Sequence, residues 1–296
     1  THPRWPLLWA ASVPLLLGVS CGRTALPPVG DRIQALIDGY KQQQEEFSRR
    51  YSQAKSDKEK EQIAQTYPQP TQTAKALLEI VKAAPADAAI RPALHWLVDN
   101  GRGNDGKGPS PATQAKMTIL EHHLDDPQIS KIFFALSQDS LAPESEQILR
   151  GVSERKATPE LRGRALHALA NLYKNQAESV EAVRRAHADG SKRSQSPSEE
   201  SQVKRWMAMD PTGLRAQADS LWEQLTTDNE LGSVEISYGP RKVTLRELAE
   251  RNLFELRELQ AGLVAPDIEG EDLEGEPLKL SDYRGSVVVL DFWGDW

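Results

Sequence analysis

The chain has 296 residues, a net charge of −7 and a sequence pI near 5.5, with 27% charged and 39% hydrophobic residues. That composition is ordinary for a folded protein with room for about two domains, and the absence of a basic stripe argues against nucleic acid as a partner. Cysteine occurs once, as Cys21, so these residues can form neither an internal disulfide, nor a Cys-x-x-Cys couple, nor a cysteine-based zinc cluster.

At the N-terminus, His2 and Arg4 precede Leu7–Val19, a mostly apolar run of 13 residues. That length suits the apolar stretch of a secretory signal and is too short to span a bilayer. Ser20-Cys21 closes it, and the arrangement resembles a bacterial lipoprotein signal, in which a cysteine after a small residue is lipidated and becomes the mature N-terminus. Gly18 departs from the pattern, which prefers Leu there. The resemblance implies a signal over 1–21, lipidation at Cys21, and a place on the periplasmic side of the cell envelope. Several acyl chains on one cysteine would make a stable membrane anchor. The alternative is an ordinary signal peptide whose cysteine is incidental.

From Asp31 the pattern turns helical, and a helical domain is predicted over 31–230. Ile33, Ile37, Tyr40, Gln44, Phe47, Tyr51 and Ala54 recur at steps of three and four, a heptad-like seam. Because Lys41–Gln62 is otherwise polar, this reads as a solvated stalk or a bundle edge, with a coiled-coil dimer as the alternative. Thr71–Ala83 and Asp87–Val98 are further helices, the second starting late because Pro92 removes a hydrogen bond inside a helix. Gly101–Pro111 is a glycine-rich connector. It lacks both the Gly-Lys-Ser/Thr ending and the preceding strand of a phosphate loop.

Prolines then stand at 111, 127, 143 and 159, a constant step of sixteen, three of them after Ser110, Asp126 and Thr158. Proline at the first helical position behind such a cap is a start signal. Four helices of about twelve residues follow, arranged as stacked hairpins resembling half-repeats of an α-solenoid, or as an irregular bundle whose prolines align. Gln176–Ala188 reads as a separate polar helix and Ser191–Ser201 as a flexible linker. Asp210-Pro211 opens another helix. Over 232–261, a hairpin at Val234–Thr244 turns at Gly239-Pro240. Thr244 and Glu247 then form a capping box for the helix carrying Leu245, Leu248, Leu253, Leu256 and Leu259.

No metal site is read from these residues. His122 and His123 are adjacent and diverge on a helix, and His95, His167 and His187 stand alone. Glu269, Glu271, Asp272, Glu274 and Glu276 lack the order of a calcium loop. Trp96, Trp206 and Trp222 read as core or interface residues.

The last stretch, 262–296, is the most specific. Ala265-Pro266-Asp267 leads into an acidic hairpin punctuated by Gly270 and Gly275, then Leu280-Ser281-Asp282-Tyr283-Arg284-Gly285. The run Val287-Val288-Val289-Leu290-Asp291-Phe292 reads as a strand buried on both faces, and Trp293-Gly294-Asp295-Trp296 follows. These motifs, in this order, resemble the start of a thioredoxin-superfamily redoxin of the bacterial thiol-disulfide reductase (TlpA/ResA-like, AhpC/TSA-related) kind. In that family they lead into Trp-x-x-Trp-Cys-x-x-Cys.

The resemblance implies an α+β chain, mostly helical at first and then entering a thioredoxin-like α/β domain, and thiol-disulfide oxidoreductase activity on protein disulfides or thiols, with no cofactor. No residue here takes the catalytic role. Trp293, Gly294, Asp295 and Trp296 would lie just before the nucleophile, with cysteine or selenocysteine expected next. A selenocysteine codon read as a stop is one expectation. Without its neighbours, Val287–Trp296 is expected to lack order. Two other functions stay open: a non-enzymatic helical lipoprotein that binds a protein partner, and a peroxiredoxin-type peroxidase.

Overall fold

The computed structural model describes residues 26–103, 108–188, 197–260, 262–291 and 293–294. It is an α+β chain, a helical body with one short hairpin inserted before its last helix and a second hairpin after it. The first helix, α1 (Val29–Gln53), turns Ile33 and Tyr40 into the core. Tyr40 meets Trp96 edge-to-face at 5.3 Å. The predicted seam therefore turns inward over its first half. Further along, the chain breaks at Ala54, forms α2 (Asp57–Ala64) behind a Ser56 cap, and doubles back on α1. Tyr67 then packs edge-on against Phe47 at 5.0 Å and accepts a hydrogen bond from Gln44 Nε2 at 3.2 Å.

Helix α3 (Thr71–Ala83) buries Ala74, Leu77, Leu78 and Val81, the i, i+3, i+4, i+7 stripe of a core-facing helix. Asp87 caps a 3₁₀ turn at Ala88–Ile90, and α4 (Arg91–Asn100) follows with Pro92 in its first turn, where the missing N–H costs nothing. The late start behind Asp87 is thus found.

Three of the four evenly spaced prolines open helices: α5 (Pro111–His122), α7 (Pro143–Glu154) and α8 (Pro159–Ala188). Pro127 does not. Asp126 spends its carboxylate on tertiary partners as well as on the Gln128 N–H, and the chain passes through a 3₁₀ turn at Ile129–Ile132 into the short α6 (Phe133–Gln138). Nor is α8 twelve residues long. It runs for 30, absorbing the segment read as a separate polar helix, because its buried stripe continues through Tyr173, Gln176, Ala177 and Val180.

The long α8 is the axis of the body, with α6 and α7 packed against it as well as α10 (Pro211–Thr227) and α12 (Leu245–Glu258). Glu181 pairs with Arg215 near one end, and Gly163 faces Leu231 at the other, so α10 runs antiparallel to α8. Contacts of Gly163 with Leu245 and of Lys174 with Glu255 make α12 parallel to it. Helix α9 (Pro197–Met207) begins inside the stretch read as a linker, and α11 (Asn229–Gly232) is a single turn. The hairpin β1 (Glu235–Tyr238) and β2 (Arg241–Thr244) pairs Tyr238 with Arg241 across Gly239-Pro240, Gly239 supplying a φ of +60°. Thr244 and Glu247 then form the expected capping box of α12.

A second hairpin, β3 (Glu269–Glu271) and β4 (Pro277–Lys279), pairs Glu269 with Lys279, and a 3₁₀ turn at Leu280–Tyr283 follows. The strand expected from Val287 does not form over 287–291. Strand identity depends on a neighbouring ladder, and among the described residues none lies beside it. Phe292 lies outside the described residues.

Candidate functional site

The C-terminal segment is organised by one carboxylate. Asp267 Oδ1 accepts the Ser281 backbone N–H at 2.8 Å, and Oδ2 accepts the Ser281 hydroxyl at 2.7 Å. The backbone follows, Leu280 N–H donating to Ile268 C=O at 2.9 Å. Ala-Pro-Asp and Leu-Ser-Asp-Tyr-Arg-Gly, fourteen residues apart at their contacting members, are thereby one local structure. The Ser281 hydrogen bonds hold the Asp267 carboxyl below the usual carboxylate range, because they stabilise its charged form.

Between the two motifs, Asp272 Oδ1 accepts from the N–H groups of Glu274 and Glu276, both at 2.9 Å, and Gly275 takes a φ of +84°. The acidic run is thus a tight turn, its geometry fixed by an Asp side chain mimicking a backbone acceptor. Lys279 Nζ lies 2.5 Å from Glu269 Oε1 across the hairpin. Beyond Gly285, with a φ of +90°, the described residues are exposed and carry no secondary structure: Val287 is 97% accessible and Trp293 84%. Gly294 is described without secondary structure, whereas Asp295, Trp296 and the expected lipidation residue Cys21 lie outside the described residues.

The helical body holds polar clusters of its own that motif reading did not bring together. Asp126, 2% exposed, accepts from His95 Nε2 at 3.0 Å and from the Gln128 N–H at 2.9 Å, with Arg91 Nε at 3.7 Å. Burial pushes the His95 imidazole below its ordinary range and outweighs the Asp126 charge. His123 Nε2 donates to Pro85 C=O at 2.7 Å. Lys116, 1% exposed, places Nζ 2.5 Å from Asp139 Oδ2 and 3.3 Å from Ser145 Oγ. The one local signal for any of these was Asp126 ahead of Pro127. Their partners come from 23 to 38 residues away. Among the described residues, no three His, Cys, Asp or Glu side chains gather as a metal-binding group, and no helix is long and apolar enough to cross a membrane.

With this geometry in place, similarity to known proteins is confined to a short stretch. The chain is 54% identical over 35 residues to the thiol-disulfide oxidoreductase ResA of Geobacillus thermodenitrificans (strain NG80-2), covering 12% of this chain and 20% of that protein. ResA of Geobacillus kaustophilus (strain HTA426) gives the same identity and coverage. ResA of Bacillus cereus (strain ATCC 10987 / NRS 248) is 42% identical over 38 residues, 13% of this chain and 22% of the relative. The chain thus spans about a fifth of the length of the curated relatives it matches. No family model and no solved structure matches it.

Proposed function

We propose that residues 262–296 open a thioredoxin-like redoxin domain, and that the protein is an exported thiol-disulfide oxidoreductase, anchored through Cys21 and carrying its redox domain on a helical body. The observation that carries this reading is the Asp267–Ser281 pairing, which makes one structural unit of the two motifs on which the redoxin resemblance rests. The 54% identity to ResA supports it over 35 residues, the length of the segment from Gly262 to Trp296.

In this chemistry a thiolate or selenolate attacks one sulfur of a substrate disulfide. The substrate S–S bond breaks, a mixed bond to the attacking atom forms, and the other sulfur leaves as a thiolate. A second thiol of the enzyme then displaces the substrate's remaining sulfur as a thiolate and closes the enzyme's own disulfide, or selenenylsulfide where selenium attacked, so that two electrons pass to the substrate. Trp293 and Trp296 would stand just ahead of the attacking residue.

The test is to sequence the gene for about 300 nucleotides past the Trp296 codon, the span of the roughly 100 residues a small domain needs. A cysteine codon, or UGA, followed in frame by a resolving cysteine supports the enzyme, and reduction of a model disulfide by the extended protein would complete it. A region without such a frame sinks the reading.

The helical body favours a second reading. Its contiguous core ends at Leu253, with Leu256 packed against it, and draws nothing from the described residues of 262–294. A body that needs no later residue to fold suits a protein-binding module, with the C-terminal segment as a vestige. Crosslinks from a partner confined to α1–α10, with no thiol chemistry in the extended protein, would favour it.

A further inference from the structure

Helix α9 differs from its neighbours in how little of it is buried. Among its described side chains, Glu199 to Met207, only Val203 and Trp206 are half-buried and the rest are exposed. On either side of it in the chain, α8 buries Leu169, Leu172 and Tyr173, and α10 buries Ala218, Trp222 and Leu225. An isolated helix shorter than about 12 residues is marginal in water, and tertiary packing supplies most helical stability. With one narrow stripe against α8, α9 is among the cheapest elements of the body to open.

Polar contacts hold it instead. Arg184 on α8 donates to the carbonyls of Met207 and Met209, at 3.4 and 2.9 Å. From α9 itself, Arg205 donates to the carbonyl of Leu141 in the turn between α6 and α7. In doing so it lies along a cleft of about 380 Å³ lined by Thr113 at the start of α5, Glu144 at the start of α7, Arg102 after α4 and Asp139 at the end of α6.

We infer that α9 is a strap latched beside this cleft by Arg205, and that it opens as a unit more readily when the Arg205 hydrogen bond is lost, the Arg184 contacts then holding only its C-terminal end. Detachment widens access to Thr113 and Asp139. It leaves α8 in place, because the α8 core faces α6, α7, α10 and α12.

Hydrogen exchange on the full chain tests this. Amides of 200–207 are expected to exchange at least about tenfold faster than those of 165–180. Arg205→Ala should speed the first group severalfold and leave the second unchanged, with Arg205→Lys in between because an ammonium lacks the guanidinium fork. A thiol reporter reads the cleft directly. In a chain carrying Cys21→Ser and Thr113→Cys, labelling at position 113 should accelerate when Arg205→Ala is added. Equal protection of α9 and α8 would overturn the inference. So would an Arg205→Ala variant that alters neither α9 exchange nor labelling at position 113.

Discussion

Asp267 holds Ser281 by both its N–H and its hydroxyl, at 2.8 and 2.7 Å, and so closes the hairpin between them from outside the ladder. The ladder itself is only three pairs long, and two-stranded hairpins of that size are marginal in water. The carboxylate therefore contributes order that the strands alone do not supply.

Removing the hydroxyl should be visible as a titration. In Ser281→Ala, Asp267 keeps the backbone bond and loses the hydroxyl, the largest cause of its lowered pKa. Its folded pKa lies below the unfolded value, so the contact is fully present above the ordinary carboxylate range and lost as pH falls through the depressed value. Carbon-detected NMR should show the Asp267 midpoint moving up in Ser281→Ala. An unmoved midpoint would show that the hydroxyl does not hold the charge.

Buried charge makes a second prediction. Lys116 is shielded from water and its ammonium is matched by Asp139. Asp139→Ala should cost about 3–5 kcal/mol by leaving that charge uncompensated, whereas Lys116→Met should cost much less, since an apolar side chain of similar length fills the space. Denaturant unfolding of the two variants gives the comparison, and equal losses would refute the argument.

His167 sits on α8 with its Nδ1 unpartnered, and burial lowers its pKa from 6.5 to about 4. The unfolded chain takes up the proton first, so stability should begin to fall below pH 6.5, continue falling toward pH 4 and flatten beneath it. The full shift corresponds to a ceiling of about 3 kcal/mol, reduced by the partial exposure the residue retains. His167→Gln should flatten that part of the stability–pH curve, read from denaturant midpoints at several pH values.

Two glycines should respond in opposite directions to the same change. A Cβ at Gly163 would lie 2.8 Å from Leu245 Cδ1 and 3.3 Å from the Leu231 carbonyl oxygen, both in the packed junction of α8, α11 and α12. Gly163→Ala should therefore cost about 1–3 kcal/mol. Gly39 lies inside α1 with nothing within 4 Å of such a Cβ, so Gly39→Ala should stabilise by about 0.5–1 kcal/mol. Thermal or denaturant unfolding decides the signs.

The sequence by itself determined the elements whose signals act within a turn or two. Ser110, Asp210 and Thr244 cap the helices they precede, Pro111, Pro143 and Pro159 open theirs, and Gly239-Pro240 turns a hairpin. Asp267 and Ser281 were legible as members of two motifs, but not as partners. Tertiary structure alone decided that Asp126 would serve His95 and Arg91 instead of opening a helix, and that α8 would run unbroken to Ala188. It also left Val287–Leu290 accessible and outside any ladder. The physical reason is the range of the bond involved. A cap or a proline acts on a backbone group three or four residues away, while a buried carboxylate or a strand is defined by groups that only the folded chain brings beside it.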